Sequence, residues 1–209
     1  MKGSLIIVAF FFLGCLLGRG LDVCDITWEG DWERYVLYLL MLQVGLSIGS
    51  DQNLRKIMKS IRPKLLLIPL ATIIGTLSFS ALAAVFISRW NVFDCLAVGS
   101  GFAYYSLSSI LIIELKTASL GLQMATELGA VALITNILRE IMALLGAPLF
   151  VRFFGRFAPI SAGGATTMDT TLPIITRYAG KEMVFVAILH GILVDLCVPF
   201  FVSFFCSVG

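Results

Sequence analysis

Apolar residues gather into long runs separated by short polar stretches, and the runs have the length of helices, not the residue-by-residue alternation of an outer-membrane barrel strand. The pattern predicts a first helix from about Gly3 to Gly18, a second from Tyr35 to about Gly49 and a third from Leu65 to Ser88. The first two are short for a hydrocarbon layer of about 30 Å, so protein neighbours or interfacial flanks belong at their ends. A further long run, Gly121 to Phe150, carries Asn136, Arg139 and Glu140 in its middle. The last, Met183 to Cys206, contains His190, Asp195 and Pro199.

Two runs are interrupted. Val92 to Gly99 is apolar but too short to span; Gly99 to Ser109 reads Gly-Ser-Gly-Phe-Ala-Tyr-Tyr-Ser-Leu-Ser-Ser; and Ile110 to Leu115 is apolar again. The second, Ser161 to Ile175, holds Gly163-Gly-Ala-Thr-Thr-Met-Asp-Thr-Thr-Leu-Pro. Each predicts half-helices around an unwound centre, with Pro173 suited to the first turn of a restarted helix. Aligned from Gly101 and Gly164, Ser106 falls with Asp169 and Ser108 with Thr171. A pair of broken apolar segments is the best sequence pointer to a carrier's midplane site.

The charges orient the chain. Arg55, Lys56, Lys59, Arg62 and Lys64 fill one short loop, which the positive-inside rule places in the cytoplasm together with the N-terminus. Asp22, Asp25, Glu29, Asp31 and Glu33 then face outward. If both interrupted segments cross fully, Arg152 and Arg156 fall outside, against the rule. If each dips in and returns, Arg152, Arg156, Arg177 and Lys181 are all cytoplasmic, and the two segments run antiparallel as an inverted repeat requires. Charge favours the dipping arrangement, and either one puts the C-terminus outside.

Composition agrees: of 209 residues 59% are hydrophobic and 13% charged, against about a quarter charged in a soluble domain, so the chain cannot cover itself with polar surface. Backbone groups in hydrocarbon must be satisfied internally. The expectation is an all-α integral membrane protein of an inner membrane. It comprises one domain over 1–209, with five to seven transmembrane segments that include two discontinuous or re-entrant helices. The lipid bilayer is its medium, and a homo-oligomer is compatible with it. Cys15, Cys24, Cys95, Cys197 and Cys206 share no metal or redox spacing and read as small hydrophobes. The first run follows Lys2 like a secretory signal, but no small-residue cleavage site follows it, so it is kept as a helix. No P-loop, dinucleotide fingerprint or nucleophile elbow is recognisable, which argues against an enzyme, a nucleotide cofactor or a nucleic-acid partner.

An ionisable side chain in hydrocarbon needs a partner or a task. Glu140 is the leading candidate to bind a cation or proton, with Asn136 one turn before it on the same face and Arg139 about 100° away. An assembly role for Arg139 and Glu140 is the plainer alternative. Tyr104, Tyr105, Ser106, Ser108 and Ser109 in the first interruption, with Thr166, Thr167, Asp169, Thr170 and Thr171 in the second, complete the candidate site. Unwound backbone and helix termini there suit a zwitterion, although a plain loop has similar composition. His190 and Asp195 lie about 140° apart on their helix and are candidate proton-relay groups, with simple packing the alternative for His190. Glu114 and Glu127 fall near helix ends, where solvation explains them.

Four ordered motifs carry a family resemblance: Gly99-Ser-Gly-Phe-Ala-Tyr-Tyr-Ser-Leu-Ser-Ser-Ile-Leu, Asn136-Ile-Leu-Arg-Glu-Ile-Met-Ala, Gly163-Gly-Ala-Thr-Thr-Met-Asp-Thr-Thr-Leu-Pro-Ile and His190-Gly-Ile-Leu. With these the chain resembles the bacterial L-lysine exporter family LysO, from its first helix to its end. The resemblance implies export of L-lysine and of its analogue thialysine, dependence on intramembrane acids of which one matches Glu140, and a fold of inverted repeats with discontinuous helices. Full-length members carry a further membrane region before the part seen here. The expectation is that a separately encoded small membrane protein supplies it, with this copy being a fragment as the alternative. Proton antiport is the expected mechanism, with a sodium-coupled carrier of another organic ion or a non-transporting membrane subunit as alternatives.

Overall fold

The structure, a computed structural model, describes residues 63–209 together with Leu13, Tyr35, Leu39 and Leu42. The chain divides into two compact units, Met1–Gln43 and Val44–Gly209. In the first, the four described residues are helical and exposed. The remainder of the first two expected helices, the acidic and basic loops, Cys15 and Cys24 lie outside the described residues.

In the second unit seven α-helices are described: α1 (Leu67–Phe86), α2 (Val92–Gly99), α3 (Tyr105–Leu120), α4 (Leu122–Phe154), α5 (Ala158–Gly163), α6 (Leu172–Ala179) and α7 (Val184–Val208). Three are long and apolar enough to cross a membrane, namely α1, α4 and α7 with the 3-10 turn that precedes it. Large apolar side chains such as Phe79, Phe86, Leu145, Phe154 and Phe200 project outward, as a hydrocarbon solvent permits.

The two interrupted stretches fold back on themselves. In the first, α2 and α3 are separated by Ser100–Tyr104, and Lys116 near the end of α3 returns to within 2.7 Å of Asp94 in the first turn of α2. The start of α2 is fixed by a capping box, in which the Asp94 N–H donates to Asn91 Oδ1 and the Asn91 N–H to Asp94 Oδ2. In the second, α5 passes through a 3-10 turn, Gly164–Met168, to α6, where Pro173 occupies the first turn. Ile160 at the beginning of α5 and Ile175 and Ala179 in α6 share one buried cluster with Val186 and Ala187 of α7, so both ends of this hairpin also lie together.

The hairpins enter from opposite ends of the unit. Alongside the Lys116–Asp94 pair lie the Arg89–Glu127 ion pair and the contact between Gly209 and Phe93, which gather the end of α1 and α7 and the start of α4. Leu65 and Ile68, Val151 and Met183 pack on the Ile160–Ile175 cluster, which gathers the start of α1 and α7 and the end of α4 at the other pole. Gly121, with φ 78, turns α3 into α4 with no intervening loop, a conformation a side chain would strain. α4 then runs antiparallel to α3, with Ser109 Oγ donating to the carbonyl of Gly129 at 2.8 Å.

Candidate transport site

The tips of the two hairpins meet. The Ala165 N–H of the second donates to the Phe102 carbonyl of the first at 2.8 Å. Gly164, at φ 61, allows the approach, because a Cβ there would sit on that carbonyl. Phe102 and Ala103 themselves adopt left-handed backbone, with φ 44 and 74. Such geometry costs about 1–3 kcal/mol per residue and persists only where the surroundings impose it. Here Asn136, only 2% exposed, imposes it: its Oδ1 accepts from the Ala103 N–H at 2.8 Å, while its Nδ2 donates to the carbonyls of Val98 and Ala132. Gly101 packs against the same side chain.

Arg139 supports the other tip. Nε and NH2 donate to the carbonyls of Ala162 and Ser161 at 3.0 and 3.1 Å, and NH1 donates to Thr76 Oγ1 of α1 at 3.2 Å. These carbonyls are the unpaired acceptors at the end of α5, and the guanidinium meets the negative pole of that half-helix. It also lies over the Phe102 ring, touching both tips. A groove of about 670 Å³ between α1 and α4 has Arg139 among its lining residues, and its walls are mainly apolar, from Phe79, Leu138 and Met142 among others.

Most hydroxyls of the two segments are committed to backbone. Ser108 donates to the carbonyl of Tyr104, Ser109 to Gly129, Thr166 to Gly163, Thr167 to Gly164 and Ala187, and Thr171 to Thr166. His190 is held between hydroxyls, with Thr72 Oγ1 3.0 Å from Nε2 and Thr167 Oγ1 3.2 Å from Nδ1. It thereby ties α1 to the second tip, and it does not share partners with Asp195.

What remains forms an acidic cluster beside the crossing. Tyr104 lies within electrostatic reach of Asp195 and Asp169, Tyr105 within reach of Glu140 and Asp169, and the two aspartates within reach of each other. Asp195 is 3% exposed. Among the described residues neither Asp195 nor Glu140 accepts a hydrogen bond, whereas Asp169 receives the Thr170 N–H. Tyr105, Ser106, Asp169 and Thr170 are exposed. Thus Asp169 and Asp195 lie near Tyr104, and Glu140 and Asp169 near Tyr105, while Asn136, Arg139, His190 and most of the hydroxyls build the frame.

Sequence reasoning missed the framing partners Thr72 and Thr76, and it missed the buried pair Asp94–Lys116. The Asn-x-x-Asp spacing of Asn91 and Asp94 is a readable helix-start signal. No metal-ligating cluster of three or more His, Cys, Asp or Glu occurs among the described residues.

An all-helical membrane protein with two folded-back segments touching tip to tip and acids beside them has the character of a transporter. The family model described as lysine exporter LysO matches residues 8–206, and the chain belongs to that family, whose members are multi-pass membrane transporters, not enzymes. It is 31% identical over 174 residues to "Lysine exporter LysO" of Escherichia coli (strain K12), an alignment covering 83% of this chain and 54% of that protein. It is also 31% identical over 176 residues to "Putative lysine exporter" of Haemophilus influenzae, covering 83% of each. The chain therefore spans about half the length of the E. coli relative. No solved structure matches it.

Proposed function

We propose that this chain is the site-bearing transport domain of a secondary carrier that exports L-lysine from the bacterial cytoplasm in exchange for protons. The observation that supports the reading is that Asp195 and Asp169 lie within electrostatic reach of Tyr104, and Glu140 and Asp169 of Tyr105, on the segment that carries the Phe102–Ala165 contact of the hairpin tips. Lysine brings two ammonium groups and one carboxylate. The carboxylates take the ammonium groups. The N-terminal end of α3, where Tyr105, Ser106 and Leu107 open the helix with N–H groups that have no intrahelical acceptor, takes the cargo's carboxylate.

Coupling follows from charge. Each exported positive charge works against an inside-negative potential worth about 2.3 kcal/mol per 100 mV. Exchanging a proton for the cargo's ammonium on Glu140 or Asp195 offsets that work and spares the site an uncompensated buried charge. The broken segments act as re-entrant hairpins of an inverted repeat, α2–α3 dipping from outside and α5–α6 from the cytoplasm. Both readings draw support from the paired ends of each hairpin and from the cytoplasmic placement this gives Arg152, Arg156, Arg177 and Lys181.

The test is efflux of labelled L-lysine from proteoliposomes with an imposed pH gradient. Glu140→Gln is expected to abolish efflux while the protein stays folded in the membrane, and collapse of the pH gradient is expected to stop efflux by the unmodified protein. Efflux by Glu140→Gln at the unmodified rate would remove Glu140 from the mechanism. Efflux that follows a sodium gradient instead would replace the proton.

A further inference from the structure

The end of the first hairpin holds a pair of charges that the acidic cluster does not use. Lys116 is fully buried, and its Nζ lies 2.7 Å from Asp94 Oδ1, with Asp94 itself 3% exposed. Neither atom has a partner in hydrogen-bonding geometry. The other carboxylate oxygen of Asp94 is occupied by the Asn91 N–H of the capping box. An ammonium with three N–H donors therefore faces a single carboxylate oxygen in a dry setting. Lysine is almost never fully buried, and a buried ion pair contributes little to stability that apolar residues of similar volume would not. A structural lysine would find acceptors for its donors; this one meets a single carboxylate oxygen.

Two placements give the pair a task. Cys206 of α7, 6% exposed, lies within electrostatic reach of both Lys116 and Asp94. Eleven residues earlier, Asp195 of the same helix reaches the acidic cluster, and eleven residues bring a helix back to within about 20° of the same face after about 16 Å. One face of α7 thus leads from the cluster to the ion pair, and the fully buried Val198 and Val202 close the way between them. The second placement is the occupant itself. What Asp94 holds is a four-carbon stem ending in a primary ammonium, the same group that a lysine cargo carries.

We propose that Asp94 is a second ammonium-binding site, at the far end of the first hairpin, where Lys116 stands in the place through which the ammonium group of an exported alkylammonium passes. The pair is then a gate opened by exchange of one ammonium for another. This rests on the lysine-export reading above. Asp94 keeps one ammonium throughout, so no bare carboxylate is left in the dry interior. Lys116, one turn from the end of α3 at Leu120, has a stem long enough to carry its displaced charge to the aqueous boundary.

Two measurements on the full chain in detergent test the gate. In a variant that keeps Cys206 and has alanine at Cys15, Cys24, Cys95 and Cys197, alkylation of Cys206 by N-ethylmaleimide is expected to be slow, and saturating L-lysine to speed it at least tenfold, with glycine without effect. Bound lysine that leaves the rate unchanged would overturn the gate. In Lys116→Ala, n-propylammonium, the missing fragment, is expected to raise the melting temperature, whereas n-propanol does not, and adding Asp94→Asn is expected to remove the shift. A folded Lys116→Ala protein with no such shift overturns the site; if that variant does not fold, the alkylation result decides. A propylammonium shift in a protein that neither binds nor exports lysine keeps the ammonium site and removes the export reading. Lysine efflux with neither response does the reverse.

Discussion

Asn136 shows how much of this site depends on single side chains. One carboxamide satisfies the Ala103 N–H and the Val98 carbonyl on either side of a break that two left-handed residues would otherwise have to sustain alone. Asn136→Ala leaves the Ala103 N–H buried and unpaired and the Val98 carbonyl with only the Gly101 N–H, at about 1–3 kcal/mol. It is expected to lower the unfolding temperature in detergent by several degrees and to reduce lysine efflux through the displaced Tyr104 and Tyr105. Asn136→Ala at full thermal stability would show the break to be self-supporting. His190 makes the complementary case. Thr72 and Thr167 hold its two ring nitrogens. His190→Gln is therefore expected to retain efflux with an unaltered dependence on pH, whereas His190→Leu, which removes the tie between Thr72 of α1 and Thr167 of the second tip, is expected to lose folded protein. A shift in the pH profile of His190→Gln would restore the relay role.

Among the helices, the half-helices depend most on charges placed outside them. α5 has six residues, too few to be stable alone, and Arg139 reaches across from α4 to its final carbonyls. The two contacts use a planar fork that lysine lacks. Arg139→Lys is expected to lose part of them and to destabilise the fold by about 1–3 kcal/mol, read as a fall in the denaturant midpoint in detergent. Sequence pattern conveyed much at this scale. The run Val92 to Gly99 coincides with α2, and Pro173 falls in the first turn of α6, because apolar runs, glycine breaks and proline are local signals. Roles that rest on long-range contact were not legible. Ser108, Ser109, Thr166, Thr167 and Thr171 resemble ligand hydroxyls in composition, and only the folded chain shows their backbone partners. Lys116, following the apolar run Ile110 to Leu115, reads as its polar boundary, since nothing local marks Asp94, twenty-two positions earlier, as its counter-ion.

At the scale of the second unit, the two hairpins define the poles. Single cysteines placed at Trp90 and Ser119 are expected to react with a membrane-impermeant maleimide from one side of sealed vesicles, and those placed at Arg156 and Lys181 from the other. Labelling of Trp90 and Ser119 from opposite sides would mean that the first segment crosses the membrane fully. The intramembrane acids were legible from sequence because charge is rare in apolar runs. Their grouping was not, since Glu140, Asp169 and Asp195 belong to three separate elements.

The hydrogen bond that joins the hairpins is main chain to main chain, a carbonyl of Phe102 against an amide of Ala165 with a glycine beside it in place of any side chain, and Arg139 of α4 bridges the same two tips. Architecture and selectivity are thereby uncoupled: nothing that distinguishes one cargo from another takes part in holding the halves together. Tyr105, Ser106, Asp169 and Thr170, exposed and outside that hydrogen bond, are free to drift, so a lineage of such carriers can retune what it moves without rebuilding the scaffold that moves it.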